Sequence, residues 1–189
     1  MRIAIVTHNV RPGDGQGRVN VELTRYLLSQ GHAVTLFAQH VGDDLLDAGA
    51  EWISIRPFLP QAALSTVWSF KKQANRLLAS YRHRFDVVMG CGVTLDVPHT
   101  HNAVHFVHGE WLNSPFHNAR VQNGPHAWYQ WAFSSLNAQW EKRAFDNTQT
   151  VIAVSEMVRR ELVAIGVPEE KIEVVVNGVD LDEFSPAKV

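Results

Sequence analysis

Four histidines, His99, His101, His105 and His108, fall within ten residues near the middle of the chain. An imidazole can transfer protons near neutral pH, bind a metal ion or hydrogen-bond to a hydroxyl group, so the cluster is a candidate for chemistry. A zinc site needs three or four ligands that converge on one point. On an extended strand, His105 and His108 project to opposite faces, because their separation in the sequence is odd. The spacing therefore predicts no metal site, with zinc binding as the alternative.

A glycine-rich loop at residues 11–17, RPGDGQG, lies between a short apolar run and a helical pattern. Glycines at a helix N-terminus leave backbone amides uncovered, and the helix dipole attracts phosphate to them. A dinucleotide fingerprint would need a third small residue at its spacing and an acid after the second strand, where Gln39 stands instead. The loop therefore indicates phosphate binding without NAD, and a surface turn that binds no ligand is the alternative.

The segment 98–139 carries only two formal charges, Glu110 and Arg120, but it contains six histidines and three tryptophans. The tryptophans are Trp111, Trp128 and Trp131. Flat indole faces stack on the C–H faces of sugars, while imidazole and amide groups bond the hydroxyls. We therefore predict that this segment forms the wall of a cleft for a carbohydrate acceptor. The alternative is that Trp131 and Trp140, at helical positions in 128–145, pack in the core or between domains.

Short apolar runs alternate with helical patterns along the chain, and these elements must position the candidate residues. The runs that predict strands are 2–6, 34–38, 52–55, 86–89, 103–107, 151–154 and 172–176. Helical patterns lie after residue 17, within 57–85, within 128–145 and after Ser155. Strands separated by helices predict a doubly wound, Rossmann-like parallel sheet with helices on both faces. In such a sheet, ligands bind at the carboxyl ends of the strands.

The last stretch of the chain has the clearest local signals. Ser155 follows an apolar strand run and is a natural N-cap for the next helix. Gly166 and Pro168 predict where that helix ends. The following strand run leads to Asn177 and Gly178, residues that tolerate positive φ and favour a sharp turn. The turn is therefore expected at the carboxyl edge of the sheet.

This stretch also carries a family resemblance. The run VIAVSEMVRREL, followed by GVPEEKIEVVVNGVDLDEFSP, resembles the end of the N-terminal half of the family 4 glycosyltransferases, which are retaining enzymes of the GT-B fold. The matching positions are Ser155, the turn Asn177-Gly178-Val179-Asp180, Phe184 and Pro186. In that family the Asn-Gly-Val-Asp segment leads from the first Rossmann-like domain into the second. The resemblance implies a domain at 1–176 and an interdomain hinge at 177–189, without the second, donor domain.

The resemblance assigns roles to residues elsewhere in the chain. In the family, the glycine-rich loop after the first strand faces the donor's diphosphate, a role that falls here on Gly15 and Gly17. Gln16 separates these two glycines, where the family commonly has adjacent ones. A histidine at the end of the strand predicted at 103–107 lies near the reacting sugar and helps to position it. His108 is the match for this catalytic role, and His105 is the second choice.

The implied reaction transfers a sugar from a nucleotide-diphosphate donor to a hydroxyl acceptor with retention at the anomeric carbon, without a metal or other cofactor. The family binds its acceptor mainly in this half, so His105, Glu110 and Trp111 are assigned to the acceptor side of the cleft. The residues that hold the donor belong to the second half. We therefore expect residues 1–189 to fold but to be inactive alone. The alternative is a stand-alone, non-catalytic domain that binds a glycan or a phosphorylated ligand.

Composition limits the compartment and the partners. The chain has 189 residues, 46% of them apolar, and a net charge of −2, so no global charge favours nucleic acid as a partner. Cys91 is the single cysteine, which fits a reducing compartment and a buried filler role. No apolar run approaches the roughly 20 residues that span a bilayer. We therefore predict a cytoplasmic protein.

The helical segment between Pro57 and Phe85 contains basic residues and no acid. The basic residues are Lys71, Lys72, Arg76, Arg82 and Arg84. Such a helix can lie against an anionic membrane or hold a phosphorylated acceptor. This pattern predicts a peripheral location at the inner face of the membrane and a lipid-linked acceptor, and a solvated helix face is the alternative.

Overall fold

The computed structural model describes residues 1–13, 15–58 and 63–178. Its strands are β1 (Arg2–Val6), β2 (Asn9–Val10), β3 (Ala33–Ala38), β4 (His40–Val41), β5 (Glu51–Ser54), β6 (Val87–Cys91), β7 (His99–Val104), β8 (Thr148–Ala153) and β9 (Ile172–Val174). Seven of them form one parallel sheet in the order β5-β3-β1-β6-β7-β8-β9, and β2 pairs with β4. The strand order reverses between β1 and β6, so the carboxyl edge at this point is the expected ligand crevice.

Helices cover both faces of the sheet, which confirms the predicted fold class. They are α1 (Gly15–Ser29), α2 (Asp43–Asp47), α3 (Ala63–Tyr81), α4 (His108–Asn113), α5 (Asn118–Val121), α6 (Pro125–Asp146) and α7 (Glu156–Ala164). One core lies between the sheet and the first two helices, where Ile3, Ile5 and Leu36 are buried with Val21 and Leu45. The opposite face packs against α3, α6 and α7.

Part of the first face forms an apolar groove. Beside α1, the strands β6, β7 and β8 line a depression of about 1080 Å³. Its walls include Leu23 and Tyr26 from α1, Met89 and Ala103 from the central strands, and Ile152 from β8. All helices after β6 whose core contacts are described lie on the other face. The sheet is therefore covered unevenly.

The connection from β6 to β7 is unusually short for parallel strands, because only residues 92–98 separate them. Helix α3 holds this crossover in place. The Asn75 side-chain oxygen accepts hydrogen bonds from the backbone amides of Asp96 and Val97 at 2.7 and 3.0 Å. The ammonium group of Lys71 lies 2.7 Å from the Asp96 carboxylate. These polar contacts replace a connecting helix and set β7 beside β6.

The structure corrects the position of the fifth strand of the main sheet. The run 103–107 was expected to form it, whereas β7 spans His99–Val104 and is rich in polar residues. Two of these make internal hydrogen bonds: the His99 ring bonds the Val97 carbonyl at 2.8 Å, and the Asn102 side-chain NH₂ donates to the Gly92 carbonyl at 3.0 Å. His108 therefore does not end a strand but begins α4.

The basic helical segment corresponds mainly to α3, and the structure removes one residue from its exposed face. Lys71 is 5% exposed, and its ammonium group lies over the Trp140 ring at 5.0 Å as well as beside Asp96. Burial lowers the pKa of Lys71, and the Asp96 carboxylate opposes that shift. Lys71 therefore links α3 to α6 inside the protein. No helix in the described part of the chain is long and apolar enough to cross a membrane.

The final crossover agrees with its local signals. The Ser155 hydroxyl accepts a hydrogen bond from the Val158 amide at 3.2 Å, which confirms the predicted N-cap. Gly166 has φ of +91°, a left-handed conformation that suits glycine after a helix end. Asn177 and Gly178 follow β9, while Asp180 and the rest of 179–189 lie outside the described residues.

Candidate functional site at the carboxyl edge of the sheet

The small pocket at the start of α1 lies where β1 ends. Its volume is about 330 Å³, and its lining is Thr7, His8, Asn9, Gly15, Gln16 and Gly17. Asn20, buried in α1, donates to the Thr7 hydroxyl at 3.2 Å and to the Asn9 carbonyl at 3.4 Å. These bonds tie the loop after β1 to the first turns of α1. The described lining residues include no acid, and the N-terminal end of the helix dipole points toward the pocket.

The two glycines of this pocket differ in their surroundings. Gly17 is buried inside α1. Gly15 is exposed, and a Cβ atom added there would meet nothing within 4 Å. Gly15 therefore has space for a small side chain, whereas Gly17 is buried where it lines the pocket.

His8 is a pocket residue that sequence reasoning missed. Its ring packs on Phe70 with centroids 4.1 Å apart, and its Nδ1 bonds the Gln39 side-chain oxygen at 3.0 Å. Burial lowers the pKa of His8, so the imidazole is neutral at pH 7. The available signal was a polar residue directly after an apolar strand, at the edge where ligands bind.

His108 lies at the start of α4 in an aromatic setting. Its ring centroid is 4.9 Å from that of Phe106 and 6.0 Å from that of Phe133. The Nδ1 atom is buried and has no hydrogen-bond partner among the described residues. Burial lowers the pKa of His108 to about 4. At neutral pH this imidazole is uncharged, so it can bond a hydroxyl group but cannot supply a positive charge.

A buried carboxylate from α6 holds the turn that carries His108. The two oxygens of Glu141 accept hydrogen bonds from the backbone amides of His108 at 2.8 Å and Gly109 at 2.6 Å. Glu141 is 1% exposed, and burial raises its pKa to about 7, although both amide donors act in the opposite direction. Sequence reasoning missed Glu141, because an acid in a helix usually faces solvent.

The wall beside this turn combines buried and exposed aromatic residues. The Trp111 ring lies 5.6 Å from the ring of His117, whose Nε2 bonds the Ser134 hydroxyl at 2.8 Å. Trp128 and Trp131 are 72% and 49% exposed, with ring centroids 6.1 Å apart. The alternative that Trp131 packs in the core of this chain is therefore wrong. Core packing is consistent with Trp140, which is half-buried and faces Lys71.

The sequence model of Glycosyltransferase Family 4 matches residues 13–183, which include this edge of the sheet. The chain belongs to glycosyltransferase family 4. This assignment confirms the resemblance carried by the last stretch of the sequence. No curated protein matches the sequence significantly.

Solved structures resemble this family 4 chain at low sequence identity. A glycosyltransferase from Rickettsia africae aligns with a TM-score of 0.54 and 18% identity over 100% of this chain. The lipopolysaccharide outer core galactosyltransferase WaaB aligns with a TM-score of 0.55 and 13% identity over 96%. Anabaena HepE in complex with UDP-glucose aligns with a TM-score of 0.54 and 17% identity over 99%. The chain spans 46–47% of the length of these proteins, and the likeness shows the shared fold.

The structure divides the predicted site residues of this family 4 domain into groups. Gly15, His105, Asn177 and Gly178 border the large apolar groove. Gly15 also borders the small pocket with Gly17, so the two depressions share a rim. His108, Glu110 and Trp111 lie together on α4. Ser155 caps α7, and its hydroxyl serves the helix.

The described residues also bear on the rival chemistries. They contain no group of three or more histidine, cysteine, aspartate or glutamate side chains that could hold a metal ion. Cys91 is buried, and burial raises its pKa to about 11, so its thiol is protonated at neutral pH. This agrees with the filler role expected for Cys91.

Proposed function

We propose that this family 4 chain is the acceptor-side, N-terminal domain of a retaining glycosyltransferase that moves a sugar from a nucleotide-diphosphate donor to a hydroxyl acceptor. The observation that carries the proposal is the pocket at the N-terminus of α1, which has no acid among its described lining residues and lies beside the point where the strand order reverses. A diphosphate is the part of such a donor that gains negative charge as the sugar leaves. A helix N-terminus stabilises that charge.

The lining of the pocket supports a phosphate ligand in a second way. Thr7 and Gln16 supply neutral hydrogen-bonding side chains, and His8 is uncharged at pH 7. An acid here would repel a diphosphate, whereas neutral donors and the helix dipole favour it. We propose that a second domain holds the nucleotide and that Gly15 and Gly17 allow the phosphates to approach the backbone. HepE has been solved with UDP-glucose, which supports a nucleotide-sugar donor for this chain.

The α4 turn supports a role in placing the sugar. A neutral His108 imidazole suits a hydrogen bond to a sugar hydroxyl, and its desolvated setting strengthens such a bond. In the proposed reaction the bond from the anomeric carbon to the diphosphate breaks, and a bond to the acceptor oxygen forms on the same face. The acceptor hydroxyl gives its proton to the departing diphosphate in this step.

The aromatic wall supports a carbohydrate acceptor. Trp128 and Trp131 expose flat rings beside the α4 region, where a sugar face could stack. We further propose a cytoplasmic enzyme whose acceptor is linked to a lipid. Lys72, whose ammonium group lies over the exposed Trp68 ring at 5.2 Å, supports contact of α3 with an anionic membrane. Lys71 takes no part in that contact, because it is buried.

The test uses the full-length protein with a panel of nucleotide-diphosphate sugars and hydroxyl acceptors. Proton NMR of the product reports the anomeric configuration, and we expect that of the donor. Calorimetry on residues 1–189 should show weak or undetectable donor binding, because two oriented substrates need both domains. An inverted product would contradict retention, and turnover by residues 1–189 alone would contradict the two-domain proposal. Glycan binding without transfer by any full-length preparation would favour a binding domain instead.

A further inference from the structure

Glu141 is an unusual residue for the interior of this domain. Its side chain is 1% exposed, yet it belongs to an acid, which loses strong hydration when it is buried. Among the residues that the structure describes, no lysine or arginine pairs with it; the hydrogen bonds recorded for its carboxylate come from two backbone amides. An apolar side chain of similar volume would pack there without that cost. What distinguishes Glu141 from an apolar residue at this position is therefore the pair of backbone amides that its two oxygens bond.

The two amides belong to the first two residues of α4. These N–H groups have no partner inside the helix, and the residue before them, Val107, offers no side-chain cap. Glu141 reaches them from α6, 33 and 32 residues along the chain, and so fixes the start of α4 relative to a long, packed helix. The carboxylate also complements the positive end of the helix dipole.

Gly109 provides an independent sign that this approach is close. A Cβ atom at Gly109 would lie 3.2 Å from Oε1 of Glu141 and 2.9 Å from Cγ2 of Ile165. Both distances are tighter than ordinary side-chain contacts. A glycine at this position therefore lets the carboxylate and α7 close on the turn together.

We propose that Glu141 is a positioning residue, whose carboxylate anchors the first two amides of α4 and thereby fixes the His108 imidazole at the cleft; its bearing on catalysis rests on the proposed function of His108. Glu141 makes no recorded contact with the imidazole itself, so it acts through the backbone. Burial raises the pKa of Glu141, and the acid Glu161 on α7 adds to that rise; burial also raises the pKa of Glu161, and Glu110 on α4 adds to it. In the described part of the chain, these two acids and His108 are titratable groups near the anchor.

The first experiment measures the imidazole of His108 by NMR in residues 1–189 labelled at histidine, across a pH titration. Glu141→Gln keeps the shape of the side chain but can accept from only one of the two amides. We expect the pKa of His108 to rise by about one unit in this variant, because a loosened turn lets water reach the ring. Glu161→Gln is the matched control, since it removes a neighbouring acid that makes no hydrogen bond to the turn. This variant should leave the pKa of His108 within about 0.3 units of the wild-type value.

The second experiment measures steady-state kinetics in the full-length protein. We expect Glu141→Gln to lower kcat roughly tenfold with little change in donor KM, as for an interaction made mainly in the transition state. Glu161→Gln should leave both constants near wild type. If Glu141→Gln does not fold, Gly109→Ala tests the same anchor by pushing the carboxylate away, and the same rise in the His108 pKa is expected.

An unchanged His108 titration in a folded Glu141→Gln or Gly109→Ala variant would overturn the anchor. A shifted titration with unchanged kcat would overturn its bearing on catalysis. The NMR measurement needs no substrate, so it decides the structural part even if wild-type protein transfers no sugar. Absence of transfer by the wild type would count against the proposed function instead.

Discussion

Helices α1 and α4 both begin at the carboxyl edge of the sheet, but the surroundings of their first residues differ. The start of α1 borders a pocket of about 330 Å³, with no acid among the lining residues that the structure describes. The first amides of α4 are already bonded to the buried carboxylate of Glu141. A helix N-terminus attracts an anion in both cases. The first helix is thus arranged to receive an external anion, whereas the first amides of the second are occupied by an internal carboxyl group, and that helix presents a side chain, His108, to the cleft.

This contrast explains why the two helix starts need different residues. The loop before α1 is rich in glycine, a residue that has no side chain to keep a ligand from its backbone. The start of α4 has one glycine, Gly109, and its missing side chain makes room for Glu141 and Ile165 rather than for solvent. Glycine serves ligand approach at the first site and internal packing at the second.

The largest expected effect comes from filling the pocket at the start of α1. We predict that Gly17→Val lowers kcat/KM of the full-length protein roughly 100-fold, the scale of losing one preorganised backbone donor. Gly17 is buried where it lines the pocket, so the added side chain takes space from the pocket or from its wall. Steady-state kinetics measures the loss, and circular dichroism confirms that the variant is folded. Wild-type kinetics in a folded variant would remove α1 from the donor site.

The next largest effect comes from removing the buried Glu141 carboxyl group that bonds the first amides of α4. We predict that Glu141→Leu lowers the free energy of unfolding by about 2–4 kcal/mol, because two buried amides then lack acceptors. Urea unfolding at pH 7 measures this difference. A variant as stable as wild type would mean that water or a relaxed backbone satisfies the amides, and α4 would then resemble α1.

The sequence predicted the start of α1 better than the start of α4, for a physical reason. Glycines after an apolar strand and Ser155 before a helix act within a few residues, so their signals are local. Glu141 acts across more than 30 residues and looks like a solvated acid in the sequence. The same limit explains β7, where buried His99 and Asn102 interrupt the apolar pattern because their partners lie elsewhere in the fold.

A smaller effect tests the shifted pKa values of Glu141 and His108 at the start of α4. The raised pKa of Glu141, about 7, gives a contribution to stability that is full below its ordinary value of 4.5 and is lost as pH rises through 7. The lowered pKa of His108, about 4, gives a contribution that is full above its ordinary value of 6.5 and is lost as pH falls through 4. The two contributions therefore have opposite slopes between pH 4.5 and 6.5.

His108→Gln removes one of these slopes. As pH falls from 7 to 4.5, we predict that this variant gains stability relative to wild type by at most about 3 kcal/mol, since each pKa unit corresponds to 1.36 kcal/mol. Urea unfolding of both proteins at several pH values gives the difference, in which the contributions of other groups, such as His8 and His99, cancel. Parallel curves for the two proteins would contradict the shifted pKa of His108.

The smallest expected effect distinguishes Gly15 from Gly17 at the start of α1. Gly15 has φ outside the left-handed region, and an added Cβ would meet nothing within 4 Å. We therefore predict that Gly15→Ala changes kcat/KM less than about twofold and raises the free energy of unfolding by at most about 0.4–1 kcal/mol, because the unfolded chain becomes less flexible. Kinetics and urea unfolding, measured beside Gly17→Val, decide the point. A large loss of activity in folded Gly15→Ala would show that the donor contacts the backbone at Gly15 itself, and the ligand would then lie nearer the rim shared with the apolar groove than the floor of the small pocket.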